Sequence, residues 1–172
     1  NDEEPSRFCH EWSGAVMLWA SDEEINIGTF GALYVDVEGA VIEGESVFDV
    51  FDSSQETIGY FEDLYDHDGV DFKSDLVMAA CGSDYLRGPN LLILERLIIE
   101  PQFRGKARCL RALRALIHSL RPGAGLVAMK PFPLQSESHF KHRDACEERL
   151  RLRLDDFPAN RRTATAALRR YY

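Results

Sequence analysis

Apolar positions change their period along this chain, and each change predicts an element. Gly14 to Ala20 is a short, mostly apolar stretch that predicts a first strand. From Thr29 to Ile42 apolar and polar positions alternate, with Phe30, Ala32 and Tyr34 followed by Val35, Val37 and Val41; the Glu38-Gly39 pair would fold this run into a hairpin. Ser53 and Ser54 predict caps for a helix reaching about Tyr65, with Ile58, Phe61 and Tyr65 on one face. Asp75 to Cys81 predicts another short helix.

Leu91 to Ile99 carries the strongest strand signal. Its near-continuous apolar run predicts burial on both faces, as in a central strand. From Gly105 to about Leu120 the period becomes helical, with Leu110, Leu113, Ile117 and Leu120 on one stripe. Gly123 and Gly125 then release the chain into a second buried strand, Leu126 to Lys130, closed by Pro131 and Pro133. This strand–helix–strand unit has the length of a crossover joining parallel strands. Two further helices are predicted, from His139 to Leu154 and from an Asn160 cap through Ala164, Leu168 and Tyr172.

The 172 residues suit one domain, 1–172, with 45% hydrophobic and 28% charged positions, the profile of an ordinary soluble globular protein; the fold class expected is α/β (α+β). No apolar stretch is long enough to span a bilayer, and the acidic start does not read as a targeting signal, so no membrane partner and a cytoplasmic location are expected. Cys9, Cys81, Cys109 and Cys146 lack paired spacing, which argues against a zinc knuckle or a disulfide framework.

Charge is divided unevenly. Residues 1–95 hold 3 Lys/Arg against 22 Asp/Glu, whereas residues 96–172 hold 17 against 7. The halves either offer one face to a cation and another to an anion, or neutralise each other. Overall acidity without aromatic interleaving among the arginines argues against nucleic acid.

The turn after Ile99 departs from what a helix start requires. Arg104, Lys106 and Arg108 crowd an end that already carries partial positive charge, each at a cost of about 0.3–1 kcal/mol. An anion held by the unpaired amides there would resolve the conflict, and Gly105 would let a phosphate approach the backbone. A Walker A loop is excluded because Ala107 follows Lys106 and no Gly stands five residues before Gly105; the three glycines of a dinucleotide fingerprint are absent too. What remains is Q-x-x-G-x-A: Gln102, Phe103, Arg104, Gly105, Lys106, Ala107.

This pattern, after a strand ending Ile98-Ile99-Glu100-Pro101 and opening an amphipathic helix, resembles the pyrophosphate-binding motif of the GNAT acetyltransferase superfamily. The resemblance covers Leu91 to Lys130 and resumes over residues 167–172. It implies a GNAT-like mixed central sheet with flanking helices, acetyl-CoA as co-substrate and no metal. Backbone groups of Leu97, Ile98 and Ile99 would pair with the pantetheine arm, and residues Gln102, Phe103, Arg104, Gly105, Lys106, Ala107 and Arg108 would hold the pyrophosphate. Arg108 and Arg111 would reach an outer phosphate, although surface arginines fit as well.

The resemblance further implies direct transfer to a primary amine, on a small molecule or on a peptide or protein. Glu95, the one acid inside the apolar strand and seven residues before Gln102, would be the base; an ion pair with an arginine is the alternative. Tyr172, or Tyr171 one position earlier, would protonate the departing thiolate. The reading admits a homodimer. The family continues past this tyrosine with one or two strands; these lie outside this sequence or are supplied otherwise, leaving the domain C-terminally incomplete. A CoA-binding sensor or scaffold without turnover is the rival reading.

Two other constellations carry less. His139, His142 and Cys146 share a helical face, but Phe140 intervenes and no carboxylate joins them. The acidic run Asp66-His67-Asp68-Gly69-Val70-Asp71 lacks the glycine placement of a calcium loop and reads as a solvated turn.

Overall fold

The computed structural model describes residues 4–20, 22–54, 56–66, 69–82, 86–105, 107–137 and 146–171. They form a mixed α/β arrangement around one four-stranded sheet of β1 (Cys9–Ala20), β2 (Glu23–Val35), β3 (Leu91–Ile99) and β4 (Leu126–Met129), in the order β1-β2-β3-β4. The described α-helices are α1 (Val37–Glu43), α2 (Val47–Asp52), α3 (Ile58–Leu64), α4 (Ser74–Cys81), α5 (Arg108–Leu120), α6 (Cys146–Arg151) and α7 (Arg161–Tyr171).

Strand directions follow from the connections and the pairing. Only residues 21–22 join β1 to β2, with Asp22 at φ 66°, so these two long strands run antiparallel. The Glu100 amide donates to the Ile27 carbonyl at 2.9 Å, while Gly31 lies opposite residues 95–96, which makes β2 and β3 antiparallel. The amides of Gly125 and Leu126 both donate to the Asn90 carbonyl, at 2.8 and 3.3 Å. The strands β3 and β4 therefore start at the same end and run parallel, with α5 as the crossover.

The strand β3 occupies the residues its apolar run predicts, in an interior position of the sheet. Other expectations change. The first strand begins at Cys9 rather than Gly14; its first five residues are mostly exposed and so carry no apolar period. The run from Thr29 does not turn at Glu38-Gly39. Asp36 caps α1 instead, its carboxylate accepting from the Gly39 amide at 3.0 Å. Val35 and Val37 mimic continued alternation across a strand-to-helix junction.

The helix predicted from Ser53 and Ser54 to about Tyr65 begins only at Ile58, as α3, and an unpredicted helix, α2, precedes Ser53. Ser46 caps α2, and Thr57 is buried between α2 and α3, its hydroxyl donating to the carbonyls of Phe51 and Ser54. Near the end of the chain, α6 stops at Arg151 rather than Leu154, because Arg153 adopts φ 49° and a 3-10 turn follows.

The chain divides into two compact units. One comprises Asn1–Gly14, Gly31–Arg96 and Leu116–Ala128; its core sets Leu33, Val35, Leu91 and Ile93 against Val47, Val50, Phe51 and Tyr65. The other comprises Ala15–Phe30, Leu97–Ala115 and Met129–Tyr172. Here Ile99 packs with Val16, Ile27 and Ala112, whereas Ile98 packs with Leu152 and Leu154. Successive strand residues thus feed two clusters, one on each face of β3.

Asn90, a residue without any sequence signal, ties the first unit together. It is 5% exposed; its Nδ2 donates to the Tyr34 hydroxyl at 3.0 Å and the Gly123 carbonyl at 3.2 Å, and its Oδ1 accepts from the Glu38 amide at 2.8 Å. Truncation removes three part-buried hydrogen bonds at once, each worth about 0.5–1.5 kcal/mol net. Asn90→Ala is expected to lower unfolding stability by about 2–4 kcal/mol in urea titration.

Candidate cofactor-binding turn and candidate base

Proline opens the turn after β3. Pro101 starts a 3-10 turn, Pro101–Phe103, where its fixed φ and missing amide cost nothing. Phe103 packs onto the Val16, Ile27, Ile99 and Ala112 cluster and anchors the turn from below. Arg104 is extended, then Gly105 takes φ 86° and Ala107 φ 56° before α5 begins. The helix therefore starts at Arg108, not at Gly105. A left-handed alanine costs of order 1 kcal/mol, and such outliers cluster at ligand-holding sites.

A Cβ built on Gly105 would meet no atom within 4 Å, so the backbone there is open to approach. Among the described residues the amides of Gly105 and Ala107 have no backbone partner, and no acid occupies the first turn of α5. The arginines are arranged differently from the expected phosphate clamp. Arg104 turns back, its Nε donating to the Ile99 carbonyl at 2.8 Å and its guanidinium lying over the Phe157 ring at 5.1 Å. Burial there holds its pKa below the ordinary arginine value. The Arg108 guanidinium donates to the Phe103 carbonyl at 3.4 Å. Both side chains brace the turn, and what it leaves open is backbone amide. Gln102 and Arg111 are exposed, and Lys106 lies outside the described residues.

The end of β3 presents its backbone in a regular alternation. Ile98 directs its carbonyl toward Gly28 of β2, and Glu100 donates toward Ile27. Leu97 and Ile99 consequently direct their amides and carbonyls to the opposite edge. The four residues of β4 start level with Asn90. On that edge the Ile99 carbonyl already accepts from Arg104.

Asn160 caps α7 as its sequence position predicts, accepting from the Thr163 amide at 3.2 Å. At the far end the Tyr171 side chain hydrogen-bonds Cys109, the second residue of α5; partial burial, and then Cys109, push the Tyr171 pKa up. Tyr172, the preferred residue on spacing, lies outside the described residues. Within this unit the structure thus brings Tyr171 to the first turn of α5; nothing in the sequence pointed to Cys109 as its partner.

Glu95 belongs to the other unit, and its setting corrects one premise. It is exposed, as is Arg96, so the apolar run of β3 is interrupted by two consecutive solvent-facing residues. Its carboxyl is nevertheless held above the usual carboxylate range, chiefly by partial desolvation, then by the negative charges of Glu56 and Glu11, with Arg96 acting in the opposite sense. Tyr60 shares this environment, its own pKa raised by burial and by Glu95 and Glu56. These neighbours come from β1, the α2–α3 connection and α3, segments too distant in sequence to be assigned from spacing.

Of the remaining constellations, His139 and His142 lie outside the described residues, as does the Cys146 side chain. The acidic turn is closed by the Asp66 amide donating to the Asp71 carbonyl at 2.9 Å. Among the described residues no group of three or more His, Cys, Asp or Glu is arranged to hold a metal ion, and no helix is long and apolar enough to cross a membrane. Comparison with family models, curated proteins and solved structures returned no match.

Proposed function

We propose that this chain is an acetyl-CoA-dependent N-acetyltransferase acting on a primary amine by direct transfer. The observation that carries the reading is the Gln102–Ala107 turn, where Gly105 and Ala107 are both left-handed and open onto the start of α5. In this reading the four-stranded sheet is the core of a GNAT-like sheet, and the protein is cytoplasmic and able to form a homodimer.

The residues present fit a bound pyrophosphate through amides more than through cations. The amides of Gly105 and Ala107, without a backbone partner among the described residues, would hold it, with Arg104 and Arg108 fixing the backbone that presents them. Leu97 and Ile99 would bind the pantetheine arm as an added strand, and Arg104 would have to release the Ile99 carbonyl for full pairing. Acetyl-CoA supplies the activated acyl group as a thioester. An amine with an ordinary pKa near 10.4 is neutral in roughly one molecule in a few thousand at pH 7, so a base is required. Glu95 would take that proton at its carboxylate, and Tyr171 or Tyr172 would deliver one to the leaving sulfur.

A second reading, a CoA-binding sensor or scaffold without turnover, is favoured by the exposure of Glu95. Both readings predict CoA binding. Saturating acetyl-CoA is expected to raise the melting temperature by several degrees, since ligand at a hundred times its Kd adds about 2.7 kcal/mol. ATP and NAD should add little. Gly105→Val should abolish most of the acetyl-CoA shift, beyond whatever its left-handed φ costs the unliganded protein. Stabilisation by ATP alone would end both readings.

A further inference from the structure

A groove with a mixed polar and apolar lining in the first unit has no role in acetyl transfer. It is about 380 Å³; Val41, Val47, Phe48, Phe61 and Val70 form its apolar side and Gly44, Glu45 and Ser46 its polar side. Val41, Phe48 and Val70 are 41%, 47% and 38% exposed, and Ile42, the next residue of α1, is 77% exposed. Exposed apolar residues that share one groove are candidates for an interaction site. The groove is built rather than collapsed. Phe61 meets Phe48 edge to face at 5.6 Å and 82°, and Gly69 lies so close to the Phe61 ring that a Cβ would come within 3.2 Å of it.

Its surroundings are predominantly acidic, although Arg7 and Lys73 are bonded to them. Residues 37–72 contain eleven Asp/Glu and no Lys or Arg. Glu45 lines the groove, and Asp49, Glu62, Asp66 and Asp71 are exposed on the segments that form it. This face already draws a cation from its own chain: Arg7 reaches Glu43 at 2.6 Å and Glu45 at 3.6 Å.

We propose that this groove docks a basic amphipathic peptide segment of a partner protein, with one or two apolar side chains seated between Val41, Phe48 and Val70 and flanking Lys/Arg on the acidic rim. The inference is independent of the acetyltransferase reading. Charge complementarity selects this occupant: an acidic rim repels anionic membranes and acidic proteins, whereas a purely basic ligand would leave the apolar floor exposed.

Fluorescence anisotropy tests this with three labelled peptides on the intact chain. The first carries Leu at i and i+4 among Lys and Arg; the second replaces Leu with Ser; the third replaces Lys and Arg with Glu. The first should bind at least about tenfold more tightly than either other peptide. Its affinity should fall at about 1 M salt, where screening shortens to about 3 Å. The double variant Val41→Lys/Val70→Lys changes only exposed positions; it should keep the wild-type melting temperature and bind the first peptide at least about tenfold more weakly. Equal binding of the Ser peptide, undiminished binding by the variant, or no binding of the first peptide would overturn the proposal. A dimer in sedimentation equilibrium that the variant dissolves would assign the groove to a second copy and overturn it equally.

Discussion

Glu95→Gln is expected to reduce acetyl transfer by about 10²–10⁴-fold while leaving acetyl-CoA affinity unchanged, the signature of losing a positioned base rather than a binding contact. The rate of the wild-type protein should rise with pH through a carboxyl pKa above the usual range, because desolvation, Glu56 and Glu11 all disfavour the charged form. The variant should lose that limb. Stability gives an independent readout. A carboxyl whose folded pKa is raised contributes stability below its unfolded pKa and loses it as pH climbs through the folded value. Removing the charge should therefore raise the melting temperature near neutral pH, and the two proteins should converge below about pH 4. An amine panel that shows equal turnover for wild type and variant would take Glu95 out of the mechanism. Acetyl-CoA binding with no turnover by the wild type would instead favour the sensor reading.

The pattern of apolar positions revealed those elements whose burial is one-sided or complete. The strand β3, the apolar stripe of α5 and the Asn160 cap of α7 all stand where their residues predict, because each follows from local chemistry and period. The long β1–β2 hairpin did not reveal itself: β1 lies at the sheet edge, with Trp19 69% and Met17 42% exposed, so no alternation marks it. The α1 helix was hidden because Val35 and Val37 fit period two while Val37 and Ala40, both buried, fit a helix. For the candidate site, the motif identified the turn but not its strained backbone. It also missed the return of Arg104 to Ile99 and the meeting of Tyr171 with Cys109. Those depend on which elements pack together, which one strand–turn–helix segment does not determine. The surfacing of Glu95 and Arg96 within an apolar run has the same origin.

The glycines of β2 provide a direct test of how β3 is held where the proposed cofactor edge begins. A Cβ on Gly28 would lie 1.9 Å from the Ile98 carbonyl oxygen, 3.0 Å from its carbon and 3.1 Å from the Ile99 Cα. All three are backbone atoms, so no rotamer can relieve the overlap; β3 must move away from β2. Separation also threatens the Glu100 to Ile27 hydrogen bond and loosens Ile99 from Val16, Ile27 and Ala112. Gly28→Val is expected to cost about 3 kcal/mol or more, at or above the usual range for overpacking. Gly31→Ala, three residues along the same strand, meets only Arg96 Cβ at 3.8 Å and Glu95 Oε2 at 3.9 Å. Those are ordinary contacts, and its stability should stay within about 0.5 kcal/mol of wild type or rise slightly as the unfolded chain loses freedom. Denaturant titration of both variants decides the matter: a neutral Gly28→Val would show that β2 and β3 do not approach this closely at Ile98. Because Leu97 and Ile99 present their backbone to the other edge only while Ile98 and Glu100 are engaged by β2, a folded remnant of Gly28→Val should also bind acetyl-CoA more weakly than Gly31→Ala.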